Sequence, residues 1–343
     1  MPRKTRASGD RKGRKKDRAV RGALLSWYAQ NARDLPWRRT RDPWRVLVSE
    51  VMLQQIQVKR AIPFYERFLE RFPTVEAMAG APLSDAIRIW GDLGRYRRVV
   101  SLHRTARIVV EEHGGLVPSD PEVLLKLPGI GPYTAGAVAC FAYEGDVPFF
   151  DTNMHRVLHR VFFGPDAPAA TAKPKEIRDL ASRLVPPGRG WAWNQAVMEF
   201  GALRCTARRP ACPGCPLRDH CEASPKMLDA LAALPRAQKT ARAPRYEDTN
   251  RYLRGRVLAR LREEEDPGGL PLPELARRLQ GDAAEVEPLR LKAVVESLER
   301  DGLARVTPAA ERSVSPQAVA EERAPYAAGA EQEDPTEIRV SLP

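Results

Sequence analysis

Four of the five cysteines lie close together, at Cys205, Cys212, Cys215 and Cys221. Their spacing, C-x6-C-x2-C-x5-C, lets four thiolates converge on one metal centre. Zinc is the alternative, although zinc ribbons usually have two short pairs separated by a longer loop. Five cysteines in 343 residues do not make a disulfide framework, so we expect a reducing compartment, the cytoplasm. Cys140, on an apolar stretch, is expected in the core.

A second feature is the run Leu-Pro-Gly-Ile-Gly at 127–131. Pro128 ends one helix, and we expect Gly129 and Gly131 to permit positive φ and a close backbone approach. A second helix would begin at Pro132, and its free N–H groups could hold a phosphate. The alternative is an ordinary helix–helix turn.

The charge balance suggests a polyanionic partner. The chain has 56 Lys and Arg against 44 Asp and Glu, which gives a net charge of +12. Each neutralised phosphate of a nucleic acid releases condensed counterions. No run reaches the roughly 18 apolar residues that a membrane-spanning helix needs, and no apolar segment follows the basic N-terminus as in a secretory signal.

The spacing of apolar residues has the period of an α-helix and predicts an all-α protein, whose helices would position the cysteines and the hairpin. From about 19 to 224 the pattern is helical with short Pro- and Gly-containing connections. Residues 1–18 are expected to be a disordered basic arm, 225–248 a linker and 309–343 a disordered tail. A small winged-helix-like module is predicted for 249–308, with helices at 252–262, 272–279 and 289–298 and a strand near 304–307.

In order along the chain, several motifs resemble the helix-hairpin-helix DNA glycosylase superfamily, and specifically its adenine DNA glycosylase family. They cover about 20–221: Leu-Pro-Trp-Arg at 35–38, Ser-Glu-Val-Met-Leu-Gln-Gln-Ile-Gln-Val at 49–58, the hairpin and its continuation at 127–138, Asp-Thr-Asn-Met-His-Arg-Val at 151–157, Asn-Gln-Ala-Val-Met-Glu-Phe-Gly-Ala at 194–202, and the cysteines. The resemblance implies a [4Fe–4S] cluster on the four cysteines and double-stranded DNA as partner. We expect a monomer associated with the nucleoid.

The resemblance also implies roles for individual residues. Glu50 would be the general acid that protonates adenine, and Asp151 would stabilise the cationic sugar, the division of labour known from glycoside hydrolysis. Glu50 needs a pKa raised by burial for this. Asn153 and Tyr133 would line the site. Because a phenol at 133 replaces the imine-forming lysine of strand-nicking relatives, the enzyme would be monofunctional. The predicted substrate and DNA contacts are Gln55, Gln54, Arg38, Gly129, Gly131, Arg95 and Tyr96.

Two positions depart from the family pattern. Ile56 stands where the family has a threonine that touches 8-oxoguanine, and Arg95 stands where it has a tyrosine wedge. The family's Nudix-like recognition domain has no visible counterpart in 249–308. The motifs therefore predict removal of adenine opposite 8-oxoguanine or guanine, but leave the opposite-base preference open.

Other functions are compatible with parts of the sequence. A mismatch thymine or uracil glycosylase would share Tyr133 and the cluster, although such relatives lack a glutamate at 50. A non-catalytic DNA-binding protein would need only the basic arm, the hairpin and the module. An electron carrier would not require Glu50, Tyr133 and Asp151 in these motifs.

Overall fold

The computed structural model describes residues 4–234, 245–280, 286–308 and 338–343. Helices dominate the described part of the chain, which confirms the all-α prediction. In order along the chain they are α1 Lys4–Asn31, α2 Pro43–Leu53, α3 Val58–Arg71, α4 Val75–Ala79, α5 Leu83–Trp90, α6 Arg97–His113, α7 Pro121–Leu124, α8 Pro132–Phe141, α9 Thr152–Phe162, α10 Pro174–Leu184, α11 Gly190–Leu203, α12 Met227–Ala232, α13 Asn250–Glu263, α14 Leu272–Gln280 and α15 Pro288–Arg300. The strands are β1 Leu270–Pro271, β2 Arg305–Pro308 and β3 Ile338–Ser341.

The chain divides into two compact units. The first comprises residues 1–55 and 111–238, and the second comprises 56–110 and 239–343. Residues 56–110, which belong to the glycosylase domain of two helical subdomains predicted for 19–224, thus group with the C-terminal module. None of the helices in the described ranges is long and apolar enough to cross a membrane.

The core of the first unit forms around α11, which packs against both α1 and α9. The ring of Phe200 on α11 packs edge to face against Trp27 of α1, with ring centroids 5.0 Å apart. A second layer is formed by α2 against α8, with α7 packed against α8 as the other arm of the hairpin. This packing buries apolar faces of both hairpin partners and so fixes the residues at the start of α8.

The hairpin turn has one left-handed glycine. Gly129 has φ +76°, as expected. Gly131 has φ −98° and ψ 176°, so the expectation of positive φ is wrong there. Gly131 is instead the extended N-cap of α8, and Pro132 occupies the first helical position. The short hairpin connection therefore needs a left-handed backbone conformation only at Gly129.

In the second unit, α3 packs against α5, with Phe68 and Trp90 edge to face at 5.9 Å. The module contains α13, α14 and α15 beside a three-stranded antiparallel sheet of order β1-β3-β2. In the register of this sheet, Val340 pairs with Leu270 on one side and Val306 on the other. The succession helix, strand, helix, helix, strand, strand confirms the winged-helix-like prediction.

Segments outside the predicted domains differ from expectation. The first helix already begins at Lys4, within the segment expected as a disordered arm. Residues 227–232 of the expected linker form α12. Residues 338–341 of the expected tail form the central strand of the sheet. The rest of that tail (309–337) and part of the linker (235–244) lie outside the described residues.

Candidate active site

Glu50 lies in the interior of α2. The helix begins at Pro43, after Asp42 accepts a hydrogen bond from the Arg45 amide at 2.9 Å. Glu50 is only 4 % exposed, among the buried Val46, Leu47 and Val51. This burial raises the pKa of Glu50 to about 7, opposed by a hydrogen bond with Tyr133 and reinforced by the charge of Asp151. The carboxyl therefore keeps its proton to a much higher pH than an ordinary glutamate does.

Tyr133 occupies the first turn of α8. Its ring packs edge to face on Phe149 with centroids 5.5 Å apart, and its hydroxyl lies 3.8 Å from the sulfur of Met198. Burial and the neighbouring Glu50 raise the pKa of Tyr133 well above its ordinary value. It stays a neutral phenol that donates to the Glu50 carboxylate. Gly136 allows the close packing, since a Cβ there would lie 2.6 Å from the Cβ of Phe149.

Asp151 is the N-cap of α9. One of its oxygens accepts from the Met154 amide at 2.7 Å, and the other accepts from Asn153 Nδ2 at 2.8 Å. These hydrogen bonds fix both oxygens of the Asp151 side chain at the N-terminus of the helix. Asp151 is thus a helix cap whose charge also acts on the pKa of Glu50.

Arg156 lies behind Asp151, and the sequence did not predict it as a site residue. Its Nη2 donates to Asn153 Oδ1 and to the Gly201 carbonyl, each at 2.8 Å, and its Nε donates to the Cys205 carbonyl at 2.8 Å. A chain of hydrogen bonds therefore joins the Asp151 carboxylate to the first cysteine of the metal loop. The available signal is the i,i+3 spacing of Asn153 and Arg156 on one helix face.

Arg38 does not face solvent as a predicted DNA contact would. It donates to Gln195 Oε1 at 2.8 Å and to Glu199 Oε2 at 2.9 Å, and its side chain is 10 % exposed. Arg33 binds the same carboxylate at 2.7 Å. Glu199 was not predicted as a site residue. Burial opposes its charge, yet the hydrogen bonds from Arg33 and Arg38 hold the pKa of Glu199 at about 2.

Other predicted contacts are distributed over both units. In the first unit, Gln54 caps α2 with its amide 3.5 Å from Thr134 Oγ1, and Gln55 is exposed with φ +59°. Gly129 and Gly131 form the hairpin turn. Arg95 and Tyr96 belong to the second unit. The first unit thus brings together Glu50, Tyr133, Asp151 and Asn153, the four residues predicted to be catalytic.

The four loop cysteines line one cavity, together with Phe200, Leu217 and Arg160. Backbone N–H groups of Leu217, Ala223 and Ser224 donate to the sulfurs of Cys215 and Cys221. Four cysteine sulfurs around one apolar cavity, with N–H···S donors, suit the binding of an iron–sulfur cluster.

Arg160, one turn after Arg156 on α9, holds the loop. It is 2 % exposed and its guanidinium lies 3.7 Å from the sulfur of Cys205. The same group donates to the carbonyls of Thr206 and Ala207 at 2.8 and 3.0 Å, and Asp166 pairs with it at 2.6 Å. A single helix therefore has Asp151 at its N-terminus and anchors the cysteine loop through Arg160 two to three turns later.

Comparisons with known families agree with this geometry. Residues 48–187 match the family described as HhH-GPD superfamily base excision DNA repair protein. Residues 205–221 match the iron-sulfur binding domain of endonuclease III, which confirms the predicted cluster. The fold and site thus define a helix-hairpin-helix DNA glycosylase of base excision repair, a hydrolase with an iron–sulfur loop.

Within that class the chain belongs to the adenine DNA glycosylase family. It is 41 % identical to the adenine DNA glycosylase of Mycolicibacterium smegmatis over 83 % of this chain and 92 % of the relative. It is 45 % identical to the human adenine DNA glycosylase over 60 % of this chain and 39 % of that protein.

Solved structures share the fold. A thermostable thymine-DNA glycosylase superposes with a TM-score of 0.58 at 31 % identity, over 62 % of this chain and 99 % of its own. A non-covalent endonuclease III–DNA complex superposes with a TM-score of 0.54 at 23 % identity, over 61 % and 95 %. The latter likeness supports the fold alone.

Proposed function

We propose that this protein binds double-stranded DNA and releases adenine mispaired with 8-oxoguanine or guanine by hydrolysing its N-glycosidic bond. The observation that carries the proposal is the pair formed by Glu50, whose pKa is about 7, and the hydrogen-bonded Asp151. A purine leaves readily once N7 is protonated, so the reaction needs an acid that is still protonated near neutral pH. A glutamate with an ordinary pKa would be almost fully ionised there.

The two carboxyl groups have separate tasks. Glu50 donates its proton to the departing base, and Tyr133 steadies the carboxylate that remains. Asp151, fixed at the helix N-terminus, uses its carboxylate to stabilise the positive charge that develops on the sugar. The target base has to leave the stack before it can reach these groups. The hairpin at Gly129 and Gly131 offers backbone N–H groups to a phosphate next to the extruded nucleotide.

The absence of an amine at position 133 defines the product. A phenol cannot form an imine with the sugar aldehyde, so Tyr133 leaves water as the nucleophile and an abasic site as the product. We further propose that the cluster loop is structural, that the protein acts as a monomer, and that it works on nucleoid DNA in the cytoplasm.

A mismatch thymine or uracil glycosylase is the second candidate, because of the likeness to the thermostable thymine-DNA glycosylase. That assignment would leave Glu50 without a role, since its proposed role is to protonate N7 and only a purine has this atom. The acid at position 50 therefore favours adenine.

A single-turnover assay on short duplexes tests the proposal. The duplexes would carry A opposite 8-oxoguanine, G, C or T, and T or U opposite G, with alkali added afterwards to cleave abasic sites. We expect release of adenine opposite 8-oxoguanine and G, with strand cleavage only after alkali. Release from T·G or U·G alone would favour the second candidate. Binding without release of any base would identify a non-catalytic DNA-binding protein.

A further inference from the structure

Met198 on α11 places a thioether beside the hydroxyl of Tyr133. Helix α11 packs against α8 as well as against α1 and α9, and the sulfur of Met198 lies 3.8 Å from the Tyr133 hydroxyl oxygen. The same hydroxyl forms a hydrogen bond with Glu50. A thioether is a weak acceptor, whereas a carboxylate is a strong one. The single proton of the phenol is therefore directed to Glu50 as long as Met198 is a thioether.

Met198 differs from the other methionines in its access to solvent. It is half-buried, whereas Met52, Met78, Met154 and Met227 are at most 2 % exposed. Among the methionines in the part of the chain that the structure describes, Met198 is thus the accessible one. A peroxide in solution reaches an accessible thioether before a buried one, so we expect Met198 to be oxidised first.

The reaction of Met198 with hydrogen peroxide needs no further reagent. A lone pair of the sulfur attacks one peroxide oxygen, and the O–O bond breaks. The proton on the transferred oxygen passes to the departing hydroxide, which leaves as water. Sulfur loses two electrons and becomes a sulfoxide, while the peroxide gains them. The product is a polar side chain that methionine sulfoxide reductases convert back to methionine.

The sulfoxide changes which acceptor the Tyr133 hydroxyl binds. Its oxygen is a strong acceptor, and it is bonded to the sulfur that already lies 3.8 Å from this hydroxyl. Because the phenol has one proton to donate, a hydrogen bond to the sulfoxide replaces the hydrogen bond to Glu50. Glu50 then loses the partner that steadies its carboxylate after the proton has been given to the base.

We infer that Met198 is a redox modification site: its oxidation to the sulfoxide by a peroxide draws the Tyr133 hydroxyl away from Glu50 and reversibly slows release of the base. The inference rests on the proposed function, because the rate that it changes is that of base release. The order in which the methionines are oxidised can be measured without that rate.

Limited treatment of the full-length, cluster-loaded protein with hydrogen peroxide tests the inference. The proteins compared are the wild type, Met198→Leu and Met78→Leu. Leucine keeps the approximate size of the side chain without the sulfur, and Met78→Leu is the matched control at a buried methionine. Peptide mass spectrometry measures the oxygen gained at each methionine. The single-turnover rate of adenine release opposite 8-oxoguanine is compared with that of the same untreated protein, in samples whose visible absorbance shows an intact cluster.

We expect Met198 to gain oxygen before the buried methionines. The rate should then fall about tenfold or more in the wild type and in Met78→Leu, which is the effect of losing a hydrogen bond to a charged group. Met198→Leu should stay within about twofold of its own untreated rate. Methionine sulfoxide reductase with a thiol reductant should restore the wild type.

The pH profile of the oxidised wild type distinguishes a diverted hydrogen bond from general disruption of the site. The hydrogen bond from Tyr133 lowers the pKa of Glu50, so its loss should move the alkaline limb of the rate profile to higher pH. Entry of water would instead remove the effect of burial and move this limb to lower pH.

Three results would overturn the inference: oxidation of Met198 no earlier than the buried methionines, an unchanged rate once Met198 is oxidised, or an equal loss of rate in Met198→Leu. Movement of the alkaline limb to lower pH would also overturn it. If the untreated wild type releases no adenine, the proposed function fails instead, and the order of oxidation still decides whether Met198 is the modification site.

Discussion

Glu50 and Glu199 are two buried glutamates of the same unit whose pKa values are shifted in opposite directions. Glu50 is 4 % exposed and Glu199 1 % exposed, yet the pKa of Glu50 is about 7 and that of Glu199 is about 2. Desolvation is the largest single influence on both and raises both. The difference comes from the partners: Glu199 receives two arginines, whereas Glu50 receives a neutral phenol and the repulsion of Asp151. Burial alone raises the pKa of a carboxyl group, as at Glu50. Where two guanidinium groups bind the buried carboxyl, as at Glu199, the pKa falls and the group stays ionised.

The largest effect should come from removing the proton that Glu50 provides. Glu50→Gln keeps the size and burial of the side chain, but an amide cannot act as the acid. We expect the single-turnover rate of adenine release to fall roughly a thousand-fold or more, with DNA affinity nearly unchanged. Glu144→Gln, at an exposed glutamate paired with Arg41, is the control and should retain activity. A Glu50→Gln enzyme within tenfold of the wild type would show that another group protonates the base.

Replacing Glu199 should lower the free energy of unfolding of the protein. Glu199→Gln leaves Arg33 and Arg38 partly buried beside a neutral amide, and breaking a buried ion pair costs about 3 to 5 kcal/mol. Urea unfolding of the cluster-loaded protein near neutral pH measures this loss, with Glu144→Gln again as the exposed control. Because the pKa of Glu199 is lowered in the folded state, its contribution is present above the ordinary carboxyl pKa and disappears as the pH falls towards 2. A loss below 1 kcal/mol would mean that the arginines find other partners.

Arg156 tests whether the position of Asp151 matters as much as its charge. Arg156→Lys keeps a cation but cannot reach Asn153, Gly201 and Cys205 together. We expect the single-turnover rate to fall roughly 10- to 100-fold, with DNA affinity and iron content unchanged. Arg178→Lys, at an exposed arginine of α10, is the matched control. Equal rates in the two variants would show that the hydrogen-bond chain behind Asp151 does not position it.

The sequence predicts the acid better than it predicts the surroundings of the acid. Glu50, Tyr133, Asp151 and Asn153 belong to short motifs. The position of Asp151 as the N-cap of α9 is also a local feature. The pairing of Arg38 with Glu199 joins residues more than 150 positions apart, so no local pattern indicates it. Arg38 was for this reason expected on the DNA rather than in the interior.

The same limit applies to the module. Its three helices follow from their hydrophobic period, but β1 has two residues and β3 lies far along the chain from the strands it pairs with. Strands this short carry no usable alternation. The grouping of residues 56–110 with the module likewise depends on long-range contacts, among them the ion pairs Asp92–Arg262 and Arg97–Asp301.

The comparison also predicts a smaller, pH-dependent stability effect for Glu50→Gln. A group whose folded pKa is raised above its ordinary value stabilises the protein at low pH and loses that contribution as the pH rises through the folded value. For Glu50 this window runs from about 4.5 to about 7. Above it, the folded protein contains a buried carboxylate that the unfolded chain would solvate. Glutamine has no such cost, so the variant should gain about 2 kcal/mol relative to the wild type between pH 5 and pH 8. Urea unfolding at both pH values measures the difference. A constant difference would mean that Glu50 is solvated or ion-paired in the folded protein, and the contrast with Glu199 would then have another origin.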